Sequence, residues 1–161
     1  MKHELQLLFE KAFRLQQQGQ LMQAINMYEE LLHAAPRHAD ALHFLGLAQA
    51  QLGDMHSAIE YFTKALAINP KDSNLHNNLA NAYKKLHILD KAIWHYQQAL
   101  QLDPNYAQAH NNLAAIYDAQ GDFKKALCHY RAAITLQPDF AAAHYNLGIL
   151  FLKNNDLDYA K

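Results

Sequence analysis

The chain has 161 residues, 51% of them apolar, with 14 basic side chains against 15 acidic ones and a formal charge of −1. That length suits one domain or a short repeat array with a sizeable core, and the charge balance excludes proteins that need a basic face, whether for nucleic acid or for an anionic membrane surface. No stretch approaches the roughly 20 continuous apolar residues of a membrane span, and the single cysteine, Cys128, cannot form an internal disulfide and fits a reducing, cytoplasmic setting.

From its start, Met1-Lys2-His3-Glu4-Leu5, the chain is amphipathic and lacks the apolar core of a signal peptide. A first helical segment runs toward Gly19 and a second toward Pro36, and the plan then recurs. Pro36, Pro70, Pro104 and Pro138 each stand 34 residues after the last. Ala24, Ala58, Ala92, Ala126 and Ala160 keep the same step, as do the aromatics Tyr28, Phe62, Tyr96 and Tyr130. Leu45, Leu79, Leu113 and Leu147 form another column, each followed by a small residue, Gly46, Ala80, Ala114 or Gly148. Several columns at one spacing define an internal repeat. The repeats occupy 5–38, 39–72, 73–106 and 107–140, and 141–161 begins a fifth.

Between prolines the apolar period is helical, with no alternating strand pattern. Gly19, Gly53 and Gly121 fall mid-repeat, where a left-handed turn joins two antiparallel helices. Asn155 suits the same turn in the fifth repeat, whereas His87 takes it in the third at a cost of about 1 kcal/mol. The prolines close each second helix. Nine helices are predicted, paired through residue 140, the ninth spanning about 141–153. Such pairs bury their apolar faces only against neighbours.

The segments LHFLGLAQAQLGDMHSAIEYFTKALAINP and AHNNLAAIYDAQGDFKKALCHYRAAITLQP resemble the 34-residue tetratricopeptide repeat (TPR), with its Leu-Gly/Ala, Ala, aromatic, Ala and Pro positions. The resemblance covers nearly the whole chain. It implies an all-α fold, a right-handed α-solenoid of antiparallel helix pairs, whose first helices line a concave groove.

The third repeat shows how the faces divide at about 100° per residue. His76, Leu79, Ala80 and Tyr83 share one side of the first helix, expected against Ala92, Tyr96 and Ala99 of the second. Leu75, Ala82 and Leu86 point toward the preceding repeat. Asn74, Asn77, Asn78, Asn81, Lys84 and Lys85 take the polar side, which by resemblance is the groove. In the first repeat the backward-facing set, Leu7, Arg14 and Gln18, is polar, as expected near a true N-terminus. The chain stops where a second helix should begin, which predicts the N-terminal part of a longer protein.

Eleven histidines raise the question of a metal. His76, His110 and His144 recur at the repeat period, as do His95 and His129. Packed helices lie about 8–10 Å apart, whereas ligands of one zinc each lie about 2 Å from it. The columns are therefore read as partly buried fillers, and no metal site is expected. Cys128 stands where other repeats carry Glu60 and Trp94, an outer-face or inter-repeat position, as a spectator thiol. With no glycine-rich phosphate loop and no Gly-x-Ser-x-Gly elbow, neither catalysis nor a cofactor is expected.

The informative polar residues are asparagines. Asn78, Asn112 and Asn146 repeat in register, with Asn77 and Asn111 beside them. A carboxamide both donates and accepts, so such a ladder can hold an extended backbone; local packing is the competing explanation. The column resembles the asparagine ladder in the TPR superhelix of O-linked N-acetylglucosamine transferases. Around it the inward set runs from Phe9 and Phe13 through His43, Asn74, Asn81 and Lys84 to Asp118 and Tyr145. Apolar ends with an amide-rich middle suit a peptide carrying separated anchors. Chaperone-adaptor TPRs place polar or basic clamp groups where Phe9, Phe13 and His43 stand, so that subclass is not expected. The sequence thus predicts a non-catalytic module for a protein or peptide ligand, with no nucleic acid and no membrane insertion. Two alternatives are a self-assembling scaffold, associating through the His144, Leu147 and Phe151 face of the C-terminal helix, and the recruiting region of a larger glycosyltransferase or methyltransferase.

Overall fold

The structure is a computed structural model that describes the backbone of residues 2–159 and the side chains of residues 3–154. Among the described residues all regular structure is helical. The chain divides into two compact units, Met1–Ile88 and Leu89–Lys161. The first holds α1 (Lys2–Gln17), α2 (Leu21–Ala34), α3 (Ala39–Gln51), α4 (Met55–Ile68) and α5 (Ser73–Lys85). The second holds α6 (Leu89–Leu102), α7 (Ala107–Ala119), α8 (Phe123–Leu136) and α9 (Ala141–Tyr159).

The helix ends follow from local chemistry. Gly19, Gly53 and Gly121 have φ of 76°, 89° and 75°, and His87 adopts the same left-handed region at φ 58°. At each of these turns the amide of the next residue reaches back to a carbonyl of the preceding helix: Gln20 to Leu15, Asp54 to Gln49, Ile88 to Tyr83 and Asp122 to Tyr117, all at 2.9 Å. This is the Schellman arrangement, which satisfies carbonyls that a helix end leaves unpaired. The new helices are capped where the sequence supplies an oxygen. Asp54 accepts from the Ser57 amide at 3.0 Å, Asp72 from the amides of Asn74 and Leu75, and Asp122 from that of Lys125. An N-cap of this kind contributes about 1 kcal/mol.

In the first unit two apolar layers alternate. Ala12, Ala24, Tyr28, Leu31, Leu45 and Ala48 form one, and Leu42, Ala58, Phe62, Ala65, Leu75 and Leu79 the next. Leu75 therefore packs toward the preceding repeat, as its column predicts. Gly46 lets helices α3 and α4 approach: a Cβ built there would stand 2.6 Å from the Phe62 ring. Tyr28 is fully buried, and its hydroxyl donates to Gln16 Oε1 at 3.0 Å, which gives the phenol a partner in the core. Burial pushes the Tyr28 phenol well above its ordinary range. In the second unit Ala109, Leu113, Ala114, Ala126, Tyr130 and Ala133 form the equivalent buried set, and Ala143 and Leu150 carry burial onto α9.

One boundary differs from expectation. Helix α9 does not stop near 153 but continues to Tyr159, through Asn155. The run Asn154-Asn155-Asp156 contains no glycine, and an asparagine stays in a right-handed helix at a cost of only a fraction of a kcal/mol. The start of a second helix at Ala160 and Lys161 lies outside the described residues.

Candidate functional site

The histidine column has a structural job. His110 Nε2 lies 3.2 Å from the Pro104 carbonyl, and His144 Nε2 lies 2.8 Å from that of Pro138. His76 makes the same bond to Pro70, although burial holds its pKa below the ordinary value. Each histidine thus ties a first helix to the proline that closes the repeat before it. His76 is buried and His110 partly so, as fillers should be, but His144 is exposed.

The polar faces are organised by a second regularity, absent from the column analysis. Side chains pair at a separation of 35, one more than the repeat. Gln16 Nε2 donates to Gln51 Oε1 at 3.3 Å, and Asn78 Nδ2 donates to His43 Nε2 at 2.8 Å. Asn146 Nδ2 donates to Asn111 Oδ1 at 3.1 Å, and Lys153 Nζ reaches Asp118 at 2.9 Å. Each bond joins a first helix to the first helix of the next repeat. The neutral imidazole needed to accept from Asn78 fits His43, whose pKa burial lowers against the opposing charges of Asp72 and Asp40.

The predicted ligand residues separate accordingly. Asn77 and Asn111 are only 3% and 7% exposed and present nothing to an extended ligand; Asn111 instead supports Asn146 from beneath. The place of Asn111 on the polar arc of the helical wheel did not reveal that the next first helix, α9, covers that edge. Asn78, Asn81, Asn112 and Asn146 are half-buried, Asn74 is exposed in the first turn of α5, and Asp118 is committed to Lys153. Lys84 is half-buried, and burial, with Lys85 adding to it, lowers its pKa. Phe9 and Phe13 are not isolated anchors but members of an aromatic cluster, with ring centroids 5.6 Å and 5.0 Å from Phe44. Tyr145 is 70% exposed.

Clefts lie on the first-helix side in both units, and one of about 340 Å³ in the first is lined by Phe13, Gln16, Gln17, Phe44, Leu47 and Gln51. In the first unit a cavity of about 250 Å³ is lined by Leu47, Ala50, Met55, Phe62, Asn78, Asn81, Ala82 and Lys85, among others. In the second unit a cavity of about 140 Å³ is lined by Asp118, Phe123, Leu150 and Lys153 with Gly121 and Asn154. Trp94 and Cys128 are exposed, which favours the outer-face position of the two that their column allows.

Column spacing also missed a pairing. His110 and His129 belong to different columns, and their Nδ1 atoms approach to 2.9 Å between α7 and α8. Burial first, and the charge of His110 second, lower the His129 pKa to about 4. Among the described residues no group of three or more metal-ligating side chains gathers, and no helix is long and apolar enough to cross a membrane.

Left-handed turns joining antiparallel helices, a 34-residue period and small-on-aromatic helix contacts define a helical-hairpin repeat protein. Family models place it further. Two described as "Tetratricopeptide repeat" match residues 9–73 and 61–93, and one described as "TPR repeat" matches 89–121 and 116–155. The chain belongs to the tetratricopeptide-repeat family.

Comparison with curated protein sequences finds no match. Among solved structures, the crystal structure of MamA protein is similar at a TM-score of 0.86 and 25% identity, over 99% of this chain and 87% of that one. YrrB, described as a TPR protein with an unusual peptide-binding site, gives 0.77 and 23% over 92% and 76%. PilF of Pseudomonas aeruginosa gives 0.86 and 18% over 96% and 71%. The solenoid fold class read from the sequence is therefore the fold of this chain.

Proposed function

We propose that this chain is a non-catalytic protein-interaction module that holds an extended peptide against the first-helix faces of its repeats. One observation carries the reading. Asn78 and Asn146, two repeats apart, each direct one N–H into the structure, toward His43 and Asn111. Each remains partly exposed, and beyond that bond a carboxamide has a carbonyl oxygen and a second N–H to offer a ligand. A carboxamide fixed by its neighbour loses little rotamer freedom on binding, which favours affinity. Half-buried Asn112 occupies the same column in the intervening repeat. The peptide-binding site ascribed to YrrB supports a ligand of this kind for the fold.

The test is capture of a partner by the 161-residue chain, followed by calorimetry on the triple variant Asn78→Ala, Asn112→Ala, Asn146→Ala. A hydrogen bond to a partner is worth about 0.5–1.5 kcal/mol, so affinity should fall at least about tenfold while the helical circular dichroism persists. Unchanged affinity, or binding mapped to the second helices near Trp94 and Cys128, would sink the reading.

A second reading, self-association through α9, has its own observation. Gly46 is buried against Phe62, whereas Gly148, in the same column, has nothing within 4 Å of a built Cβ. Phe151 and Leu152 beside it are 40% and 63% exposed, and apolar surface of that kind marks association. Light scattering across protein concentration tests it: a monomer at all concentrations removes the scaffold alternative.

A further inference from the structure

Two of the first-helix cavities, those of about 250 and 140 Å³, stand at equivalent places two repeats apart. Ala50 corresponds to Asp118, Met55 to Phe123, Ala82 to Leu150 and Lys85 to Lys153. In the second unit the cavity is filled from within: Leu150 is 3% exposed, and the Asp118 carboxylate meets Lys153 at 2.9 Å. In the first unit both fillers are replaced by alanine. Ala82 stands in place of the leucine, and Ala50 in place of the aspartate. The cavity there is correspondingly larger, about 250 Å³ against about 140 Å³. Its lining includes the Lys85 cation and no acidic side chain. What is missing from the first cavity is thus one branched aliphatic side chain and one carboxylate.

We infer that the cavity between α3, α4 and α5 receives an aliphatic side chain of an extended partner peptide, with a neighbouring acidic residue of that peptide on Lys85. The inference rests on the first-helix reading above and gives the ligand's chemistry. The aliphatic group takes the volume that Leu150 fills in the second unit, against Leu47, Ala82 and Phe62. The acidic group completes with Lys85 the pair that Asp118 makes with Lys153. Asn78 and Asn81 line the same cavity, so the backbone between the two anchors lies within reach of their amides. A basic or wholly polar peptide satisfies neither requirement.

The experiment is a methyl and amide NMR titration of the 161-residue chain with a blocked hexapeptide, Ser-Gly-Leu-Glu-Gly-Ser, at millimolar concentration. The methyl signals of Ala50, Met55 and Ala82 should shift and saturate, together with the side-chain amide of Asn78. Replacing the peptide's leucine by serine should weaken binding about tenfold or more. Replacing its glutamate by glutamine should weaken it about two- to fivefold, as a partly exposed ion pair implies, and this difference should vanish in Lys85→Gln. The double variant Ala50→Asp, Ala82→Leu rebuilds the filled cavity and should abolish the shifts. Lys85→Gln is a surface change that leaves the core intact, so it decides the charge contact even if the double variant folds poorly. If the Asn78 amide moves while the three methyls do not, the pocket assignment is overturned and the first-helix reading stands. If no first-helix signal moves with any of the peptides or with a captured partner, both fall.

Discussion

His110 Nδ1 and His129 Nδ1 lie 2.9 Å apart across the α7–α8 contact, close enough that one proton must serve both rings. His110 Nε2 points at the Pro104 carbonyl and so carries a hydrogen, which leaves neutral His110 to accept at Nδ1. On its other side His129 stacks on the Tyr117 ring at 5.7 Å, and the cation of Lys125 lies over that same tyrosine. The Asp122 carboxylate beside this cluster is already paired with Lys125, at 2.8 Å.

Acid should therefore loosen the fold well before its carboxylates titrate. His129 titrates near 4 in the folded chain against an ordinary 6.5, so between those values the unfolded chain binds more protons. Its contribution to stability is complete above pH 6.5 and declines as pH falls toward 4. His43 and His76, also held low by burial, add in the same direction. Urea titrations at stepwise pH should show midpoints falling through this window, and His129→Gln should flatten the decline. A midpoint independent of pH from 7 to 5 would remove the paired-imidazole account.

The two helical glycines should respond oppositely to a methyl group. Gly46→Ala places its Cβ 2.6 and 2.7 Å from the Phe62 ring and 3.3 Å from the Ala58 carbonyl oxygen, an overpacking that costs about 1–3 kcal/mol. Gly148→Ala meets nothing within 4 Å and gains helix propensity, so it should be neutral or stabilise by up to about 1 kcal/mol. Paired denaturant curves separate the two.

His87 occupies a turn that three other repeats give to glycine. His87→Gly relieves the left-handed strain of about 1–2 kcal/mol and adds chain entropy to the unfolded state. The net expectation is a gain of about 0.5–1 kcal/mol. The reverse change, Gly53→Ala at φ 89°, should destabilise by about the same amount. Thermal unfolding of both variants reads the sign directly.

Leu79 and Leu113 are each only 1% exposed, and truncation to alanine should cost about 2–5 kcal/mol. Leu147, in the same column but half-buried, should cost less. Equal losses at all three would mean that α9 is covered in solution.

The Asn111–Asn146 bond can be weighed by a double-mutant cycle. Asn146→Ala strips the donor from a buried Asn111 carbonyl oxygen, a loss of about 1–3 kcal/mol. Changing both residues to leucine should recover much of it, with a coupling energy measurable by urea unfolding.

The fold was legible because its determinants are periodic. Prolines, turn glycines and the small-on-aromatic columns each recur at 34, so hairpins and core can be read by aligning the chain on itself. His87 was legible as a strained turn for the same reason. What escaped was whatever links different columns. The bonds at 35 join a residue to the neighbour of its own equivalent, and His110 meets His129 across a hairpin; neither shows when columns are read singly. Burial of Asn111 escaped likewise, since a helical wheel assigns faces to one helix and says nothing of the next. The cleft above Ala50 and Ala82 was invisible because an alanine looks ordinary in either column until the equivalent Asp118 and Leu150 are set beside it.

The separation of 35 also governs how repeats can be rearranged. His43 bonds Asn78, which stands in the column of Phe44 and not in that of His43. A tandem duplicate of the second repeat would therefore set His43 beside a copied phenylalanine and lose the bond. Duplicating the fourth repeat would set Asp118 beside a copy of Ala119 and strand its carboxylate. These two interfaces are keyed to the identity of the repeat that follows. The modules share one backbone plan, yet at these two places their succession is written into side chains and does not survive duplication.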